Sequence, residues 1–325
     1  MRIKTCMFMV VFALTTLSCS LPKFSLFPEQ GPLKEVTLQG SGAEKVLVIP
    51  INGVISDKTK DLLLRTQPSL VQQVVSQLNR AEQDPQIKAV LLKVNSPGGT
   101  VTASDIIYHE LSEYKKRSGA KIVVAMMNVA ASGAYYISLP ADWIMAHPTT
   151  LTGSIGVIFM RPGVSGLMEK VGLAMEVNTS GPQKDMGSPF RRPTDKETAI
   201  FQSLTDGLAK RFLGLVSQHR KLDAEQKAQI ATARVYLAPE AQKLGLVDQI
   251  GYLNDAIAKA KSLAGLSADA RVITFRHKVS EDDTIYNPVT QNQGGELTAA
   301  IPVLAPLTET PSAGFYYLWP VAMGQ

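Results

Sequence analysis

The stretch NVAASGA (residues 128–134) carries one hydroxyl, Ser132, to the end of a strand-like run, KIVVAMM (residues 121–127), where a helix should begin. A serine there would lie in the positive end of the helix macrodipole, which favours developing negative charge. A second apolar run, IKAVLLKVN (residues 87–95), is closed by SPGG. A Gly-Gly pair can turn backbone N–H groups toward a ligand, because glycine accepts dihedrals and close approaches that other residues resist. Together the two stretches supply parts of an acyl-transfer site: Ser132 as nucleophile, and the N–H groups of Gly99 and Gly133 as candidates for an oxyanion hole. Each stretch also has a plain structural meaning, a helix N-cap and a turn. What joins them is position. Both end neighbouring strands at one rim, and ligands of open α/β sheets sit at the carboxyl ends of the strands.

A serine nucleophile needs a base. The four histidines (His109, His147, His219 and His277) show no metal-ligand spacing, and the chain has no G-x-S-x-G elbow, so a Ser-His-Asp arrangement is disfavoured. Lysine is the alternative, and it accepts a proton only where withdrawal from water favours its uncharged form. Lys184 is the candidate. It lies in TSGPQKDMGSPF (residues 179–190), a turn-rich segment bounded by Gly181-Pro182 and Ser188-Pro189. A loop lysine is ordinarily a solvated surface charge, so pattern alone leaves both readings open.

The elements that must position these residues alternate along the chain. KVLVIPINGVI (residues 45–55), IKAVLLKVN and KIVVAMM read as strands, with DWIMAH (142–147), SIGVIFM (154–160) and AMEVNT (174–179) as shorter ones. Between them, PSLVQQVVSQLNRAEQDP has a helical stripe at Leu70, Val71, Val74, Val75 and Leu78. TASDIIYHELSEYKKRSG is a second helix, with Thr102 or Ser104 as its cap and Gly119 as its stop. Continuous Val/Ile/Leu strands alternating with helices predict an α/β fold: a mostly parallel sheet covered by helices on both faces. From Asp195 onward the pattern is helical. The domain is expected to span residues 45–275, preceded by a tether over 20–44 that lacks any period. After it, residues 276–325 read as a tail whose ending, GFYYLWPVAMG, is apolar enough to pack on something but suggests no chemistry.

Residues 1–19 read as an export signal: MRIK is a basic start, and CMFMVVFALTTL is too short for a membrane span of ~20 apolar residues. Thr16-Leu17-Ser18-Cys19 resembles a lipobox, which makes Cys19 a lipidation candidate; ordinary cleavage and a retained anchor stay open. All three place the body outside the cytoplasm, in the cell envelope. The only cysteines, Cys6 and Cys19, lie in the leader, so the body has neither a disulfide nor a thiol nucleophile. Arg2 and Lys4 supply two of the net +5 charges, and the remainder forms no basic stripe that would suit nucleic acid. Neither a metal nor a cofactor is expected.

Five stretches in order, KVNSPGGTV, AASGAYYIS followed by AD, TGSIGVI, SGPQKDMGSPFRRPT and YLAPEAQKLGLVDQIG, resemble the signal peptide peptidase A (SppA) family of serine–lysine peptidases, within the Clp protease/crotonase superfamily. The likeness runs from about Lys45 to Gly265. It implies Ser132 as nucleophile, Lys184 as general base, Ser154 as the serine that orients the lysine, and Gly99 as an oxyanion donor. It also implies a serine endopeptidase that degrades remnant signal peptides and other extended apolar peptides at the membrane. Single-domain relatives form rings that unite serine and lysine across a subunit boundary, so apolar surface on the helices after Asp195 is expected between subunits. Where the family commonly has serine-glycine-glycine, this chain has Ser132-Gly133-Ala134, and the extra methyl could narrow the cleft. Two other readings stand beside the peptidase: a crotonase-like acyl-CoA enzyme, and a non-catalytic envelope scaffold.

Overall fold

The computed structural model describes residues 31–62, 65–277, 283–286 and 313–322; the leader, with Cys19, lies outside them. The chain begins with strands β1 (Lys34–Gln39) and β2 (Lys45–Asn52), the hairpin strands β3 (Lys60–Leu62) and β4 (Arg65–Gln67), and helix α1 (Leu70–Glu82). Strands β5 (Ile87–Ser96) and β6 (Gly98–Thr100) lead into α2 (Val101–Ser118), and β7 (Lys121–Ala131) into the short α3 (Gly133–Ser138). Next come β8 (Trp143–Ala146), β9 (Leu151–Gly153), β10 (Ile158–Met160), α4 (Ser165–Lys170) and the long α5 (Asp195–His219). The remainder is α6 (Ala224–Ile230), β11 (Val235–Leu237), α7 (Ala238–Lys243), β12 (Gln249–Ile250), α8 (Leu253–Leu263), β13 (Arg271–Arg276) and β14 (Gly314–Leu318).

The main sheet runs β1-β13-β2-β5-β7-β8-β12, with β9 continuing beside the end of β7 and β11 beside β9. From β13 to β12 every neighbouring pair is parallel. Alternate residues of the buried strands serve two cores. Leu47, Ile49, Val90, Leu92, Ile122 and Val124 face α1 and α2, which contribute Val74, Leu78, Ile107 and Leu111. Val46, Val48, Ala89, Leu91 and Val123 face Leu253, Ala256, Ile257 and Ala260 of α8. A strand buried on both faces needs apolar side chains at every position, which is why β2, β5 and β7 read as unbroken runs.

Several expectations need correction. Residues 34–39 are no tether: KEVTLQ pairs antiparallel with β13 and closes that edge of the sheet, half-exposed as an edge strand is. AMEVNT forms no strand; it is exposed along its length and has no neighbour to pair with. SIGVIFM is a strand only over Ile158–Met160. The cap of α2 is Thr100, whose side chain accepts from Ala103 N at 3.3 Å, rather than Thr102 or Ser104. The end of the tail is also built into the fold. Strand β14 lies antiparallel between β10 and β6 in a second, three-stranded sheet.

Candidate active site

Ser132 joins β7 to α3 with φ 55° and ψ −116°, a backbone conformation that costs a non-glycine residue on the order of 1–3 kcal/mol. Its neighbours fix it there. Ser132 N donates to Gly153 O at 2.7 Å, and Tyr136 N donates to Ser132 O at 2.9 Å, which opens the helix. The side chain makes no N-cap bond. The plain reading of this serine as a cap therefore fails. Its Oγ is buried and has no hydrogen-bond partner among the described residues, so no histidine activates it within the chain.

The glycines of SPGG and of Ser132-Gly133 meet at this point. A Cβ on Gly98 (φ 99°) would fall 2.7 Å from Gly133 N, and one on Gly133 would fall 3.1 Å from Gly99 N. A Cβ on Gly99 would lie 1.8 Å from Ile55 O. Only glycine lets these backbones come so close. Ile55 N donates to Gly98 O and Thr100 N to Ile55 O, so the strand's alternation turns the Gly99 N–H the other way, toward the cleft. Ala134 is fully buried, in the same core cluster as Tyr317.

Ser154 follows β9, the strand paired with the end of β7 through Ala131 and Gly153. It too has a positive φ, 52°, and its N–H donates to Arg234 O at 2.9 Å. The two serines thus end adjacent strands in similar backbone turns. Lys184 is not brought to them. It is exposed, and its ammonium makes no hydrogen bond or ion pair with any described residue. Its segment is nevertheless ordered by successive turns, Lys184 N to Gly181 O, Met186 N to Gln183 O and Ser188 N to Asp185 O. Arg191 clips that segment to the start of α5. It donates to both carboxylate oxygens of Asp185 at 2.7 and 2.8 Å, and to Glu197 Oε2 at 2.9 Å, with a closer contact to Oε1. The Arg191 guanidinium and the Thr194 backbone hold the buried Glu197 carboxyl down to about 2.

Sequence reasoning missed an aromatic pocket beside the nucleophile. Tyr136, four residues past Ser132, packs with Phe212 at 4.9 Å between ring centroids and donates to Asp105 Oδ1 at 2.5 Å. Burial, with that hydrogen bond, raises the Tyr136 hydroxyl well above its ordinary value. Arg211 donates to the same Asp105 oxygen at 2.6 Å. The available signal was the two consecutive tyrosines in SGAYYIS.

The arrangement supports covalent attack by Ser132 on a carbonyl whose oxygen is held by Gly99 and Gly133, with the base to be supplied. Comparisons with known proteins bear on the family. A model of peptidase family S49 matches residues 114–267, and a Clp protease model matches residues 55–149. The chain is 34% identical over 300 residues to an Enterococcus faecium protein described as a signal peptide peptidase SppA, covering 90% of this chain and 87% of the relative. It is 35% identical over 227 residues to Protease 4 of Salmonella typhi, covering 70% of this chain but 36% of that longer relative. The chloroplastic serine protease SPPA of Arabidopsis thaliana is 28% identical over 232 residues, covering 71% of this chain and 34% of the relative.

Proposed function

Because this chain belongs to the signal peptide peptidase A family of serine peptidases, peptidase family S49, we propose that it hydrolyses extended apolar peptides, remnant signal peptides among them, with a Ser132–Lys184 dyad assembled between subunits. The observation that carries this reading is the Ser132 Oγ itself, buried, unpartnered and presented on a strained turn beside Gly99 and Gly133. A buried hydroxyl without a partner costs stability, and a base from a second copy would satisfy it.

In that assembly the uncharged amine of Lys184, steadied by Ser154, takes the Ser132 proton as Oγ attacks the peptide carbonyl. The Gly99 and Gly133 N–H groups receive the oxyanion, where loss of one donor typically costs ~10²–10³ in rate. The lysine then passes the proton to the leaving amine, and water releases the acyl group. Assembly as a ring is supported by exposed apolar side chains at Leu167, Val171, Leu173, Met175 and Val177. They precede Asp195; on α5 after it Phe212 and Val216 are buried, while Leu204 is exposed. Among the described residues no helix is long and apolar enough to cross a membrane. We place the body in the cell envelope, membrane-associated through its N-terminal segment.

The test is cleavage of fluorogenic apolar peptides by the purified oligomer. Ser132→Ala and Lys184→Ala should each abolish it while the particle keeps its size. Wild-type turnover by either variant would falsify the assignment.

A further inference from the structure

The described part of the C-terminal segment lies where a peptide substrate would have to lie. Strand β14 pairs Leu318 with Gly98, Tyr317 with Gly99 and Tyr316 with Thr100, and on its other side Phe315 with Phe159 of β10. Trp319 N donates to Pro97 O at 2.9 Å. Two residues along an antiparallel ladder, the hydrogen-bonded pair recurs at Gly99 and Tyr317. The Tyr317 carbonyl therefore receives the N–H that the mechanism reserves for the oxyanion. The same oxygen would lie 2.1 Å from a Cβ on Gly98 and 2.9 Å from one on Gly133. Trp319 packs on Val129 and Ala131, just ahead of Ser132, which is left 1% exposed.

Side chains alternate along β14 as they do along a bound peptide. Tyr317 enters the aromatic pocket, stacked on Tyr136 at 5.0 Å and tilted against Phe212 at 4.8 Å, with its hydroxyl donating to Leu208 O at 3.2 Å. Burial pushes that hydroxyl up to about 12. Two residues back, Phe315 meets Phe159 at 4.7 Å and Phe201 at 6.5 Å. Main-chain pairing with pockets for alternate side chains is how a sheet edge recognises an extended peptide.

We propose that β14 is a tethered occupant of the peptide groove, with Tyr317 standing where the residue to be cleaved after would stand, so that the chain holds itself closed and prefers a large aromatic side chain at that position. This rests on the peptidase reading for its consequence but not for its geometry. Peptides must compete with the strand, and an occupied groove raises their apparent KM by the reciprocal of the open fraction.

The experiment compares the full chain with a variant ending at Ser312, each as wild type and as Ser132→Ala. The shortened chain should stay cooperatively folded and cleave peptides with tyrosine before the scissile bond with kcat/KM raised about ten-fold or more. The free peptide GFYYLW should inhibit it competitively and bind its Ser132→Ala form. Replacing the second tyrosine of that peptide by alanine should weaken binding about ten-fold or more, as expected for losing an aromatic anchor from its pocket. If the peptide binds but neither chain cleaves anything, the peptidase reading falls and the occupant stands. If the full chain cleaves peptides while the shortened one gains nothing and binds no GFYYLW, the occupant falls alone. Loss of the fold on shortening, not restored by the peptide, would make β14 a permanent structural strand and overturn the proposal.

Discussion

The nucleophile rim and the lysine segment are built in opposite ways. Around Ser132, two serines with positive φ and three close-packed glycines are locked by strands β5, β7 and β9, with almost no surface left. Around Lys184, the chain between α4 and α5 is a series of turns, exposed at the lysine and held to the body chiefly through Arg191. The first region is closed within a single copy; the second presents its lysine to solvent. On the proposed two-copy dyad a lone chain would be inactive.

The largest expected effect comes from removing either half. Ser132→Ala or Lys184→Ala should lower kcat by ~10⁴ or more, because residues that act as a unit each cost nearly the whole. Mixing decides whether the halves belong to one chain. Oligomers reassembled from equal amounts of the two variants should recover about a quarter of the wild-type rate if each site draws on two copies, and none if each is internal. Arg191→Ala, measured on the intact oligomer, should reduce kcat/KM about ten-fold by misplacing the lysine, with Arg191→Lys rescuing it only in part because a lysine cannot make the two-pronged contact.

Acid should loosen the same clip. The folded carboxyl of Glu197 sits near 2, below its ordinary value, so its contribution is complete above about 5 and lost as pH falls toward 2. Thermal melts of wild type and Glu197→Gln should differ above that window and converge below it.

A further effect lies on β5. Lys93, buried on β5 and donating to the Ile285 and Tyr286 carbonyls, is lowered by desolvation to about 8. A folded value below the unfolded one means that the unfolded chain binds more protons between about 8 and 10.5, so stability rises with pH across that range. Lys93→Met should flatten the rise and stabilise the protein at pH 7, by on the order of 3 kcal/mol if the whole shift is relieved. Denaturant titrations at pH 7 and 10 would measure both.

The parallel core was legible because burial on both faces leaves a plain mark: the centres of β2, β5 and β7 read VLVI, AVLL and IVVAMM. Ser132 and the glycines were legible because each ends such a run. Edge strands leave a weaker mark. KEVTLQ has one buried side and sits among prolines and glycines, so it read as linker, and AMEVNT has strand-forming residues but nothing beside it. The apolar character of GFYYLW was visible, but its place between β6 and β10 depends on contacts made more than a hundred and fifty residues apart. Lys184 lies in a run of turns and its side chain meets none of the described residues, so its window carries no periodic mark.

Strand β1 sets a limit on where the chain can be cut. Without it, β13 would offer a bare row of amide and carbonyl groups to any passing chain. A cut upstream of Lys34 leaves that edge closed. One in the Gly40–Glu44 link leaves β1 held by its pairing, the Glu35 ion pairs and Leu38 packing, and its departure would convert a sheet boundary into a nucleus for clumping.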